Sequence, residues 1–298
     1  MSLLPYDDRD GEIWFDGAFT PWRDAKVHVV CHGLHYGSAV FEGERIYEGK
    51  IFKLEEHTYR LFKSAEILGM EIPFTADQIN QACYDACTRN GIVNGYVRPI
   101  AWRGSEEMGI SAQRTKTHVA IAAWEWPSYF PKEIREKGIG LKTTCWKKPA
   151  PDTAPCFAKA SGLYMLNTIA KHDAEAEGFQ DVLMHDYRGY VAETSGANLF
   201  MVKDGVIYTP IADCFLNGIT RATIIDMARE YGYTLEEKHI MPDELMEADE
   251  IFITGTAVEV TPIGRIDDTP FTVGPVTKDL MARYSALTHA HAKEKEFA

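Results

Sequence analysis

The sequence predicts an α/β chain of the α+β type, in two domains with mixed sheets rather than one doubly wound sheet. Three observations carry this reading. The 298 residues exceed one ordinary domain and allow two. Strand signals outnumber helical ones and do not alternate with them as regular βαβ units do. At Trp126-Pro127-Ser128-Tyr129-Phe130-Pro131 two prolines break the strand pattern, and the charged run Lys132 to Lys137 follows. The expected division is a smaller N-terminal α/β domain at 1–130, an interdomain loop at 131–137 and a larger C-terminal domain at 138–298.

Strands are expected first at Glu12 to Phe15, then at Tyr96 to Trp102, His118 to Trp124 and Gly140 to Trp146, all rich in β-branched and aromatic residues. Asp181 to Met184, Asn198 to Val202, Val206 to Thr209 and Glu250 to Thr254 continue the pattern. Lys203-Asp204-Gly205 reads as a hairpin turn between two of them. Three helices are expected. His57 to Gly69 aligns Leu61, Ala65 and Leu68. Thr75-Ala-Asp-Gln78 is a capping box, followed by Ile79, Ala82, Cys83 and Ala86 on one face and stopped at Asn90-Gly91. Thr220 to Tyr231 turns Ile224, Ile225 and Ala228 inward, with Gly232 at its end. Ala290 to Ala298 reads as a charged tail.

Composition narrows the function. The formal charge of −13 argues against a protein that tracks nucleic-acid phosphates, which needs a basic face. No window has the eighteen or so apolar residues of a membrane span, and Met1 to Asp10 reads as neither a signal nor a transit peptide. The six cysteines form no CxxC pair and read as reduced, mostly buried thiols of a cytoplasmic protein. Neither GxGxxG after a strand nor GxxxxGK[ST] occurs, so the phosphate cradles of dinucleotide and P-loop proteins are missing. GxSxG is absent too. His32-Gly-Leu-His35 lacks a second pair at ligand spacing, so no metal is expected.

Three features suggest chemistry. Lys159 stands among small and apolar neighbours in Pro155-Cys-Phe-Ala-Lys159-Ala-Ser-Gly162. Burial there favours the neutral amine, the form that attacks an aldehyde. Glu193 lies in an apolar, strand-like stretch, where a carboxylate must find a partner. A pyridinium N–H would serve, and the carboxylate would keep that ring cationic. Asn217-Gly218-Ile219-Thr220-Arg221 opens a helix whose free amides suit an anion, and Thr254-Gly255-Thr256-Ala257 offers a similar turn. Arg60 could add a full positive charge. Each feature alone has a plainer structural meaning, such as a helix cap at Thr220.

Together these residues resemble the fold-type IV pyridoxal phosphate enzymes, and among them the branched-chain amino acid aminotransferases. The resemblance runs from Ile13-Trp-Phe-Asp-Gly17 to Gly274-Pro-Val-Thr277. It passes through Leu34-His-Tyr-Gly37, Val40-Phe-Glu-Gly43 with Arg45, and Tyr96-Val-Arg98-Pro99. Ala158-Lys159-Ala with Tyr164, Glu193 to Phe200, Gly218-Ile-Thr-Arg221 and Gly255-Thr-Ala-Val-Glu259 complete it. It implies that Lys159 is the catalytic lysine bound to pyridoxal 5′-phosphate, that Tyr164 bonds the cofactor's phenolic oxygen and that Glu193 faces the pyridine nitrogen. Arg60, Gly218, Ile219, Thr220, Gly255 and Thr256 would hold the phosphate end. Phe41, Gly43, Tyr96, Arg98, Trp126, Tyr129, Tyr164 and Ala257 would line the substrate pocket, with Tyr36 reaching in from a second subunit. The implied reaction is ping-pong transamination between L-leucine, L-isoleucine or L-valine and 2-oxoglutarate, by a homo-oligomer that is at least a dimer, a hexamer being equally compatible. The alternatives on the same fold are D-amino acid and (R)-amine transaminases. The first of these would want a histidine two residues after the arginine, where this chain has Ile100.

Overall fold

The computed structural model describes residues 5–126 and 129–293. They fall into two compact units: residues 5–126 with Ala158–Leu163 and residues 291–293, and residues 129–157 with Tyr164–Ala290.

The first unit is a seven-stranded antiparallel sheet backed by helices. Its elements are β1 (Glu12–Phe15), β2 (Ala18–Pro21), α1 (His32–Tyr36), β3 (Ala39–Phe41), β4 (Glu44–Tyr47), β5 (Lys50–Ile51), α2 (Leu54–Ile67), α3 (Ala76–Arg89), β6 (Gly95–Arg103) and β7 (Thr117–Glu125). The spatial order is β2-β1-β7-β6-β4-β5, with β3 also on β6. Leu61 and Ala65 of α2 and Ile79, Ala82, Cys83, Ala86 and Cys87 of α3 meet Val97, Ala101, Val119, Ile121 and Ala123 of the sheet in one core. Fully burying one of the larger of these side chains stabilises the fold by roughly 1.5–3 kcal/mol. Because strand residues alternate faces, Tyr96 and Arg98 of β6 point away from that core. The capping box at Thr75 and Gln78 is formed on both sides. Helix α2 begins before the expected His57, at Leu54, because Lys53 takes a left-handed conformation in place of a capping side chain.

The second unit contains α4 (Lys132–Lys137), β8 (Ile139–Lys148), α5 (Tyr164–Ala176), β9 (Asp181–Asp186), β10 (Val191–Glu193), β11 (Asn198–Lys203) and β12 (Val206–Pro210). It continues with α6 (Ile219–Glu230), β13 (Leu235–Lys238), α7 (Pro242–Met246), β14 (Glu250–Gly255), β15 (Glu259–Ile266), β16 (Thr269–Pro270) and α8 (Pro275–Lys293). The nine-stranded sheet has the order β10-β9-β8-β15-β14-β11-β12-β13, with β16 on β15. Parallel pairs β8–β9, β8–β15 and β12–β13 sit among antiparallel ones, so this sheet is mixed as expected, whereas the first, expected to be mixed as well, is antiparallel in every pairing among the described residues. A further pairing of β10 with β11, through Glu193 and Asn198, closes six of these strands into a ring. The Asp204-Gly205 turn joins β11 to β12, both residues having positive φ.

Three further expectations need correction. The run at 131–137, expected to be a loop, contains helix α4 within the second unit. Its acidic Glu133 and basic Arg135 and Lys137 stand at the ends where the helix dipole favours them. Lys159, expected in the C-terminal domain, lies in a segment that packs with the first unit, where Ala160 bridges to Val40. The expected tail at Ala290 to Ala298 is helical through Lys293, and the remainder lies outside the described residues. Of the six unpaired cysteines, five are buried and Cys145 is exposed. No helix among the described residues is long and apolar enough to cross a membrane.

Candidate active site

In the first unit, Lys159 is clamped by its backbone. Its N–H donates to Ser64 Oγ at 2.9 Å, and its carbonyl accepts from Phe41 N–H at 3.1 Å. Ala158 and Ala160 on either side are buried. Lys159 Nζ lies 5.1 Å from the Phe41 ring centroid. The small flanking residues predicted from the sequence therefore anchor the chain and leave the amine as the projecting group.

Arg60, on α2, is tied to Glu42 by Nε and Nη2 at 2.6 and 2.8 Å. His57, one turn earlier, meets the same carboxylate through Nδ1 at 2.6 Å. Burial pushes Glu42 upward, but the Arg60 guanidinium and His57 outweigh it and hold the carboxyl well below the usual range. Burial pulls His57 down against the opposing pull of Glu42 and favours the neutral imidazole, and with a carboxylate oxygen 2.6 Å away Nδ1 is the nitrogen placed to donate. Glu44, also fully buried, is pushed the other way by burial and by the charge on Glu42, which favours its protonated form.

The predicted substrate residues of this unit gather around Tyr96. Its ring lies 5.1 Å from Trp126, and its hydroxyl accepts from Arg98 Nη2 at 3.4 Å. The Arg98 guanidinium stands 4.8 Å from the Phe41 ring centroid. Gly43 is a glycine for a reason visible here: a Cβ at that position would lie 1.8 Å from the Tyr96 hydroxyl. Tyr36, at the end of α1, is 46% exposed, with its ring against His32. His32 and His35 bond through Nε2 to the carbonyls of Gly109 and Val29 respectively.

In the second unit, Glu193 ends β10 with both oxygens engaged. Oε1 meets Lys148 Nζ at 2.9 Å, and Oε2 accepts from Asn198 Nδ2 at 3.0 Å. Gly218 is the N-cap of α6 and provides no capping side chain, so Ile219 and Thr220 open the helix with first-turn amides directed outward. Buried Arg221 anchors this end through Asn217 Oδ1, the Pro210 carbonyl and Glu237, at 2.8 Å each. Gly255 ends β14 in register with Glu259, and Thr256 and Ala257 lie in the turn that leads to β15. Thr254 Oγ1, just before that turn, is buried with no hydrogen-bond partner. Tyr164 begins α5 and is half-buried. The Tyr129 hydroxyl accepts from Lys171 Nζ at 3.1 Å.

Residues 39–266 match the amino-transferase class IV family. The chain is 46% identical over 297 residues to a branched-chain-amino-acid aminotransferase of Pseudomonas aeruginosa, covering 96% of this chain and 97% of that one. The chain belongs to the branched-chain aminotransferases of the class IV family. A T.th. branched-chain amino acid aminotransferase, solved with pyridoxamine 5′-phosphate, superposes with a TM-score of 0.92 at 41% identity, over 97% of both chains. The same enzyme complexed with N-(5′-phosphopyridoxyl)-L-glutamate gives 0.91 at 40% identity, again over 97% of both.

For a class IV aminotransferase, several residues in these surroundings received no role from sequence reasoning. Ser64 and Lys148 act on Lys159 and Glu193 from other elements, while His57 and Asn167 act through Glu42 and Lys148. Glu42, Asn198 and Arg221 stood inside matched motifs. A buried polar residue in an apolar run, as at Glu42 or Asn198, was the available signal.

Proposed function

We propose that this aminotransferase exchanges amino groups between L-branched-chain amino acids and 2-oxoglutarate, with pyridoxal 5′-phosphate as its cofactor. The observation that carries the reading is in the second unit. A doubly held carboxylate, Glu193, and the uncapped N-terminus of α6 are joined by a single residue, Asn198. An acceptor for a ring N–H and a cradle for a phosphate are what a phosphorylated pyridine requires. The unpartnered Thr254 hydroxyl and the glycine cap at Gly218 fit the same ligand.

When bound, the cofactor supplies a carbonyl carbon that takes up the amino group and a cationic ring that accepts the electron pair left at the substrate Cα. Glu193 accepts the ring N–H and keeps its proton in place. Amides at Ile219 and Thr220, with Thr256 and Arg60, would bind the phosphate, and Tyr164 the phenolic oxygen. Lys159 Nζ would hold the cofactor and, once released, carry the proton away from the substrate Cα. Phe41, Tyr96 and Trp126 offer aromatic walls to a branched aliphatic side chain. Arg98 and the Tyr96 hydroxyl offer donors to the distal carboxylate of the second substrate. The phosphopyridoxyl-glutamate complex of the T.th. relative supports glutamate as that partner.

We take the working form to be at least a dimer. Exposed Val29, Leu34 and Tyr36 support an interface there. Six unpaired thiols support a reducing compartment, the cytoplasm.

The test is a visible absorption spectrum of the protein loaded with pyridoxal 5′-phosphate, titrated separately with L-leucine, L-glutamate and D-alanine. Both L-amino acids are expected to bleach the cofactor band, and D-alanine is not. Bleaching by D-alanine would move the chain to the D-amino acid branch. Unimpaired turnover by Lys159→Ala would overturn the assignment of the lysine.

A further inference from the structure

Asn198 occupies the point where the ring of strands in the second unit closes. Its backbone pairs with Glu193 on one side and with Thr254 on the other. Both donors and the oxygen of its side-chain amide are engaged. Nδ2 donates to Glu193 Oε2 and to the Leu216 carbonyl, both at 3.0 Å, while Oδ1 accepts from Gly218 N–H at 3.1 Å. Only this orientation of the amide works, since the reverse would set its oxygen against two acceptors and its NH2 against a donor. Gly218 makes room for the contact, because a Cβ there would lie 2.2 Å from Asn198 Oδ1.

Lys148 secures the other side of Glu193. It is buried, and its Nζ pairs with Glu193 Oε1 at 2.9 Å and donates to Asn167 Oδ1 at 3.1 Å. Asn167, on α5, is fixed in turn by donating Nδ2 to the Ser195 carbonyl at 2.7 Å. Strands β8 and β11 thus meet at one carboxylate, and helix α5 braces the lysine that β8 sends there. A carboxylate oxygen has two acceptor positions, so each Glu193 oxygen retains one after these bonds.

We propose that Lys148 and Asn198 are positioning residues for Glu193, and that Asn198 also couples the carboxylate to the phosphate cradle at Gly218. Lys148 would affect only the ring end of the ligand, whereas Asn198 would affect both ends. The inference rests on the cofactor reading above and deepens it.

The test measures binding to the protein freed of cofactor. The probes are pyridoxal 5′-phosphate, its analogue with carbon in place of the ring nitrogen, and inorganic phosphate as a competitor. Wild type is expected to prefer pyridoxal 5′-phosphate over the carbon analogue by about 10–100-fold, the size of one charge-assisted hydrogen bond. In Lys148→Met and Asn198→Ala that preference should fall to about threefold or less, because the carboxylate loses its fixed direction. Asn198→Ala should also weaken inorganic phosphate by about fivefold, as one hydrogen bond at the cradle is lost. Lys148→Met should leave phosphate unchanged. Two ligands differing at one ring atom provide an internal control, since general loosening would weaken both alike. Lys148→Gln and Asn198→Ser replace any variant that does not fold. A wild-type preference that survives in both variants overturns the positioning roles. Phosphate binding unaffected in Asn198→Ala overturns the coupling. Wild type that binds both ring compounds equally overturns the role of Glu193 and with it this inference, whereas wild type that binds neither overturns the cofactor reading.

Discussion

Arg60 grips both oxygens of Glu42, donating from Nε at 2.6 Å and from Nη2 at 2.8 Å. The Glu42 side chain is 0% exposed and that of Arg60 17%, so a cation proposed to meet a phosphate is held by a partner inside the core. A bidentate pair fixes the guanidinium plane, which a flexible surface arginine could not achieve. Breaking such a buried pair leaves a charge without compensation.

Glu42→Gln should therefore destabilise the protein by about 3–5 kcal/mol, the cost of orphaning one member of a buried ion pair. Denaturant unfolding of the cofactor-free protein measures this directly. The same variant should bind pyridoxal 5′-phosphate about tenfold more weakly, since Arg60 loses its fixed direction. Stability equal to wild type would show that the pair contributes nothing.

His57 predicts an acid-sensitive window. Burial lowers its folded-state value below the ordinary 6.5. Below 6.5 the unfolded chain takes up a proton that the folded chain refuses, so stability falls as pH drops through that range. Glu42, shifted downward in the fold from its ordinary 4.5, adds a second loss as pH falls below 4.5. Melting temperatures of wild type and His57→Asn should run parallel above about pH 7. Below about 6.5 the wild type should fall more steeply, its imidazole being the group that refuses the proton.

Glu44 has the opposite sign. Burial and the neighbouring Glu42 charge raise it well above 4.5, so the folded chain retains a proton that the unfolded chain loses. Its contribution is greatest at acid pH and declines as pH rises above 4.5 toward the folded-state value. Glu44→Gln keeps the shape without the titration. Its melting temperature relative to wild type should be higher at about pH 8 than at about pH 5, and a pH-independent difference would contradict the buried neutral acid.

Gly43→Ala tests the aromatic wall. The new Cβ would meet the Tyr96 hydroxyl at 1.8 Å, so the ring must move, and Arg98 with it. Overpacking of this kind costs about 1–3 kcal/mol. KM for both amino acids should rise by about tenfold or more, as expected of a lost 1–3 kcal/mol in substrate binding. Affinity for pyridoxal 5′-phosphate should stay unchanged, because neither residue is assigned to the cofactor.

By itself the sequence determined the class of fold, most strand cores, the capped helix α3 and the turn at Asp204-Gly205. These follow from local rules: alternation, helical spacing, capping and positive φ, all of which act within a few residues. It also singled out Lys159 and Glu193 as candidates, although their chemistry stood out only through motifs spread along nearly the whole chain. The grouping of Lys159 with the first unit was decided by tertiary packing. So were the partners of the site residues. Lys148 and Asn198 reach Glu193 from two strands, Asn167 braces Lys148 from a helix, and Ser64 and Phe41 clamp Lys159 from elements far earlier in the chain. A buried charge must be satisfied, but no local rule says which distant residue will satisfy it. Only the closing of the sheet and the docking of the helices bring those partners within hydrogen-bond reach.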